Sequence, residues 1–347
     1  MQERDCTMFQ PQRVIFEQGA KDFALGKELY ERFIKEKDIE VLEASSNRIS
    51  SHVPGKELHE KYQSGKQTLV VGVKKSLKFQ SCKPSAHYQL PIVSGCMGQC
   101  EYCYLNTQLG DKPYVRVHVN IDEILGKAGE YTKERLPDIT IFEGAATSDP
   151  LPIEPYTHAL ETCIRYFGKE EHARFRFVSK YTDVDTLLSL PHNGHTEIRF
   201  SINTDTIIHK YEHHTPSARH RIEAATKVAK SGYPLGFIIA PVFLYDGWKE
   251  EYQTLLEELQ DGLPSDVLKQ VNFEVISHRY TLRAKGRINE IFPGNELPMN
   301  EEERQFKYGQ FGYGKYLYPK EKLEEMKAFF TSNLNRYFSE SEIKYII

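Results

Sequence analysis

Nowhere in the 347 residues is there a run approaching the ~20 apolar residues that a membrane-spanning helix needs. The opening "MQERDCTMFQ" is too polar for the apolar stretch of a secretory leader, so nothing points to export. Cysteine is sparse, six residues in all, which argues against a disulfide framework and for a reducing, cytoplasmic setting. Strong charge of either sign is also missing. The formal net charge of −4 disfavours a protein that coats nucleic acid non-specifically, while leaving room for a local basic groove.

Half of the scarce cysteine is concentrated in one place. "SGCMGQCEYCYLNTQLG" sets Cys96, Cys100 and Cys103 within eight positions, with Tyr102 and Tyr104 flanking the last. A structural zinc site asks for four ligands, usually as two clamps a dozen or more residues apart. No partner pair follows here, and the nearest histidine, His118, alternates with apolar residues in an expected strand. Three unrelated thiols are the bland reading. Three thiolates suit a [4Fe–4S] cluster with one iron left open, as a reactive metal site requires.

Along the chain, strand-like runs at 68–73, 114–119, 139–144, 174–180, 197–203, 235–241 and 271–277 alternate with helical patterns at 121–134, 156–167, 218–231 and 249–261. Asn120 and Ser217 are placed to cap two of those helices. Such alternation implies a parallel sheet with helical crossovers, either a partial barrel or a doubly wound sheet, with chemistry at the C-terminal strand ends. Ser148, Lys180, Asn203 and Ala240 become candidates by that position. The tail "RQFKYGQFGYGKYLYPKEK" reads as an aromatic, glycine-rich hairpin, followed by a helix near 320–337.

The C-x3-C-x2-C spacing is that of the radical S-adenosylmethionine enzymes, which this segment resembles. Further stretches narrow the resemblance: "CKPSAHYQLP", "EGAATSD", "RFVSKY", "RFSIN", "GFIIAP", "FEVISHRYT" and "YGQFGYGKYLY" are similar, in order and spacing, to the spore photoproduct lyase family. That family repairs the methylene-bridged thymine dimer that ultraviolet light leaves in DNA. The resemblance implies an α/β fold, a partial (β/α)6 barrel over 86–280, with an N-terminal extension over 1–85 packed on it and a C-terminal hairpin and helix region over 281–347 that contacts DNA.

It implies that Cys96, Cys100 and Cys103 ligate the cluster. Ser148, Lys180, Ser201, Asn203 and the backbone at Ala240 would hold S-adenosylmethionine. A 5′-deoxyadenosyl radical would take hydrogen from the lesion, with Tyr102 and Tyr104 as relay candidates and a flavodoxin or ferredoxin as electron donor. DNA contacts would come from Arg279, Lys307, Tyr313, Lys315 and Tyr316, with Tyr308 and Phe311 on the same hairpin and Arg283, Lys285 and Arg287 nearby. The sequence departs from the family at two of these places. Ala146 stands where the family carries the cysteine that quenches the product radical, and Tyr313 stands where the family has a basic residue. Cys82 is a spare thiol, left unassigned. The Ala146 departure leaves open a paralogue acting on another nucleic-acid or small-molecule substrate, and a non-catalytic iron–sulfur protein that only binds nucleic acid.

Overall fold

A computed structural model describes residues 8–45, 49–110, 112–308 and 314–347. Six parallel strands run in chain order across the larger sheet: Ala86–Gln89, Thr140–Glu143, Ala173–Ser179, Thr196–Ile202, Leu235–Val242 and Asn272–Ser277. Ser81–Cys82 adds antiparallel at one edge and the C-terminal strand Glu342–Ile346 adds parallel at the other, giving an eight-stranded curled half-barrel. The expected partial barrel is what forms.

Side chains alternate along each strand because the strand repeat is two residues. Phe175, Phe177, Ile198, Phe200, Phe237, Ile239, Phe273 and Val275 are buried in the apolar core with the crossover helices Ala159–Phe167, Ala218–Lys230 and Trp248–Gly262. On the opposite face the intervening positions carry charge. Arg199, 1% exposed, donates to Glu143 and, at 3.0 Å, to Glu274, while Arg176 Nε reaches Glu143 at 3.2 Å. Tyr345 from the C-terminal strand donates to the second oxygen of Glu274 at 2.5 Å. Four strands are thus tied together on the concave face by buried ion pairs.

The other sheet holds Glu40–Glu43, Arg13–Phe16, Thr68–Gly72 and Val115–His118 in parallel, with Val93–Ser94 antiparallel at the edge. The run at 114–119, which simple alternation would count among the barrel strands, pairs here instead. Val115, Val117 and Val119 are buried in the shared core, and Arg116 forms an ion pair with Glu17 at 2.9 Å. Asn120 stands before its helix as expected, but its side chain serves the loop at 74: Lys74 N–H donates to Oδ1 at 2.8 Å, and Nδ2 donates to the Lys74 carbonyl at 3.1 Å. Ser217 caps its helix through His220 N–H.

Between Gln89 and Val93 the chain passes from one sheet to the other. Leu90 N–H bonds Glu143 and His118 N–H bonds Ile92. The cysteine loop therefore begins at the seam. Among the described residues, no helix is long and apolar enough to cross a membrane.

Candidate metal centre and active site

Gly95 opens the cysteine loop in the left-handed region, φ 83°, where a Cβ would sit 2.3 Å from the Tyr114 carbonyl oxygen, so glycine is the residue this turn accepts. Backbone tethers then fix the loop. Gly98 N–H donates to Cys96 Sγ at 3.3 Å and Cys103 N–H to the Cys100 carbonyl at 3.2 Å. Asn106 Nδ2 donates to the carbonyls of Cys100 and Glu101, each at 3.1 Å, and is itself held by Tyr62. Gln99–Cys100 pairs antiparallel with Glu212–His213, which stitches the loop to the far side of the barrel mouth.

The three thiols lie close enough for the charge on one to be felt by the others and by Tyr62. Burial pushes Cys96 up to about 12 and Cys100 further still. Buried thiols of this kind ionise only against a positive partner. Among the described residues, no three His, Cys, Asp or Glu groups converge as they would on a single ion. A cubane cluster presents a separate iron to each thiolate, so this set of donors fits [4Fe–4S] better than zinc.

The strand-end candidates gather around the same mouth. Ser148 follows the second strand and bridges to Gly95. Lys180 follows the third, Ser201 ends the fourth, Asn203 lies just beyond it, and Ala240 sits in the fifth before a cis bond to Pro241. Lys180 Nζ donates to Ser201 Oγ at 2.9 Å, Glu212 Oε1 at 2.9 Å and Tyr102 Oη at 3.2 Å, and Tyr102 in turn donates to Glu212. Burial alone would raise Glu212, but Arg221 at 2.7 Å and Lys180 hold it at about 2. Glu212 and Arg221 were not singled out in the sequence. Asn203 is fully engaged between strand ends, donating to Pro241 and accepting from Tyr252 and Thr204.

Tyr104, 56% exposed, donates to the Ala146 carbonyl. Desolvation around its hydroxyl end raises the phenol, and the charges of Cys103 and Cys82 raise it further. Cys82 is half-buried on the edge strand, raised to about 11 by burial and then by Glu143. Cys82, on the edge strand, thus lies near enough to Tyr104 for its charge to be felt there, and Tyr104 is hydrogen-bonded to Ala146.

The nucleic-acid candidates divide. Lys307 and Lys315 are exposed and directly opposite on the hairpin Gln305–Tyr308 and Gly314–Leu317, with Tyr308 74% exposed. Tyr316 stacks on Tyr280 with centroids 5.4 Å apart, anchoring the hairpin to the barrel. Arg279 is turned inward and its Nη2 is buried without a partner among the described residues. Lys285 pairs with Glu301 and Arg287 bonds the Gly110 carbonyl, whereas Arg283 is exposed. Phe311 and Tyr313 lie outside the described residues.

Comparison with known proteins bears on this arrangement as a whole. The family model described as spore photoproduct lyase matches residues 9–347. The spore photoproduct lyase of Clostridium acetobutylicum is 54% identical over 335 residues, 96% of this chain and 98% of that protein. The Bacillus subtilis lyase is 45% identical over 337 residues, 97% and 98% of the two chains. A solved spore photoproduct lyase with bound dinucleoside spore photoproduct superposes with a TM-score of 0.94 at 43% identity, covering 98% of this chain and 99% of that one. A variant with one cysteine changed to alanine and one serine changed to cysteine, bound to AdoMet and the same dinucleoside, gives 0.93 at 43% identity, again covering 98% and 99%. The chain belongs to the spore photoproduct lyase family.

Proposed function

We propose that the protein reverts the methylene-bridged thymine dimer in DNA to two thymines as a radical S-adenosylmethionine lyase. The observation that carries this is the three-thiol loop at the mouth of the half-barrel, placed beside the Tyr104–Ala146–Cys82 group, in a chain that its family matches almost end to end. Cys96, Cys100 and Cys103 would hold the cluster, and Ser148, Lys180, Ser201, Asn203 and the Ala240 backbone S-adenosylmethionine. Once bound, the two supply the radical that removes hydrogen from the lesion. Lys180 offers a point charge suited to a carboxylate. The buried Glu212–Arg221 pair fixes that lysine and Tyr102 together, so positioning is the protein's main contribution.

After the methylene bridge has broken, the remaining thymine radical needs one hydrogen atom. Cys82 is the donor this reading assigns: its S–H bond breaks, a C–H bond forms on the thymine, and the unpaired electron stays on sulfur. Tyr104 then passes its phenolic hydrogen atom to the Cys82 sulfur, moving the radical toward the cysteine loop. In the doubly substituted variant, the serine exchanged for cysteine lies as many residues ahead of the exchanged cysteine as Cys82 lies ahead of Ala146. That parallel supports a relocated thiol and removes the need for a different substrate.

Anaerobic reconstitution, reduction with dithionite and incubation with S-adenosylmethionine and dinucleoside spore photoproduct tests the proposal. Thymine as the main product is the expected outcome; 5′-deoxyadenosine without thymine would refute the repair reading. Residues 281–347 are taken as the DNA-contacting region, on the exposed Lys307 and Lys315. A small acidic redox protein of the flavodoxin or ferredoxin kind would supply the electron in the cytoplasm.

A further inference from the structure

From residue 61 to residue 100 the chain carries six lysines and no aspartate or glutamate. The fold gathers part of this imbalance into a cavity of about 310 Å³ at the seam between the two sheets. Its walls include Lys74, Lys78 and Arg116 together with the amides of Gln80, Gln89 and Gln108, and no carboxylate lines it. It opens onto Ala146 and Thr147, the rim to which the lesion comes in the proposed reaction.

Two of the three charges there have no carboxylate partner among the described residues. Arg116 is met by Glu17 at 2.9 Å, but among the described residues neither Lys74 nor Lys78 has a carboxylate partner. Lys74 is half-buried, with its backbone fixed at both polar atoms by Asn120. Burial and the neighbouring Arg116 both lower its pKa, as they do for a cation held without an anion. A half-buried ammonium group, Lys74, and an exposed one, Lys78, at a recess lined by side-chain amides are what a phosphate oxygen would satisfy.

We propose that this recess binds a phosphodiester of the lesion-bearing strand, adjacent to the damaged thymines, through Lys74 and Lys78. The proposal rests on the repair reading above and adds a contact on the opposite side of the mouth from the C-terminal hairpin. A strand held at both places is drawn across the opening of the barrel. The contact is independent of base identity, so it positions the lesion without reading sequence.

The test uses the full chain and two substrates that differ in the group concerned. Dinucleoside spore photoproduct has no phosphodiester; a single-stranded oligonucleotide containing the same lesion has one between the two thymidines and one on each side. In the Lys74→Gln/Lys78→Gln variant, the ratio of oligonucleotide to dinucleoside kcat/KM should fall about tenfold, since each cation on a phosphate contributes modestly and independently. The dependence of oligonucleotide affinity on salt, measured by fluorescence anisotropy, should lose about 0.7 of slope per lysine. An unchanged ratio with an unchanged slope overturns the proposal, as does an equal loss on both substrates. Competition by inorganic phosphate alone, with the oligonucleotide preference intact in the variant, would make this a free-anion pocket and also overturn it. Failure of the unmodified protein to repair the dinucleoside would instead refute the repair reading, and the anisotropy arm would still decide the phosphate contact.

Discussion

A hydrogen donor must offer a bond weaker than the one it forms, and the Ala146 methyl does not. Cys82 does, and in the proposed reaction it is the residue on which product quality would depend. Cys82→Ala should keep 5′-deoxyadenosine formation while thymine yield drops at least tenfold, read by mass analysis of the products. Adding Ala146→Cys to that variant should restore a large part of the yield; no recovery would separate Ala146 from the quenching path. The cluster cysteines were legible because their spacing alone is diagnostic. Cys82 was not, because a single cysteine acquires chemistry only through the groups that the fold brings near it, here Tyr104.

A second residue-scale consequence concerns pH. Burial and then Arg304 and Arg279 depress His278 from 6.5 to about 3, and it accepts from Arg304 while stacked on Phe243. Burial likewise lowers His118 to about 4. Below pH 6.5 the unfolded chain binds protons that the native protein refuses. Stability present above that pH is therefore lost as pH falls toward the folded values, by up to about 1.4 kcal/mol per pH unit for each histidine. His278→Gln should show a shallower loss between pH 6.5 and ~5 in urea titrations; an unaltered slope would contradict the burial argument.

At the scale of elements, barrel strands such as those at 173–179 and 196–202 were readable from alternating apolar and charged residues, but the purpose of the charge was not. "RFRFVSK" and "EIRFSIN" look like half-exposed strands, yet Arg176 and Arg199 turn onto a concave face closed by Glu143 and Glu274. Removing one partner of such a buried set leaves the others uncompensated, at a cost of about 3–5 kcal/mol. Arg199→Met should lower stability by roughly that amount in chemical denaturation, whereas Arg219→Met, an exposed helical pair with Glu223, should change it by less than about 1 kcal/mol. The ribbon joining Gln99–Cys100 to Glu212–His213 was invisible in the sequence for a different reason. Two residues are too few to show periodicity, and their partners are distant along the chain.

For the molecule as a whole, the last strand completes what the first residues of the barrel begin. Glu342–Ile346 covers the edge of Asn272–Ser277, packs the partly buried Ile343 and Ile346 against the core, and brings Tyr345 to Glu274. The tail after the long helix gave no such sign, being short and flanked by charge. Truncation after Ser341 should free a strand edge and leave a buried carboxylate oxygen short of a donor, lowering the denaturation midpoint and the soluble yield; full retention of both would mean the strand is ornamental.

The way the cysteine loop is tied down has one more implication. Its tethers run through Gly98, Asn106, Tyr62, Lys66 and the short ribbon, and most engage backbone carbonyls and amides, leaving the Cys100 and Cys103 sulfurs without a hydrogen-bond partner among the described residues. Iron lost to oxygen would then empty a socket whose walls keep their shape. Air damage becomes a matter of refilling, and an enzyme exposed to air should regain activity from iron and sulfide without passing through an unfolded chain.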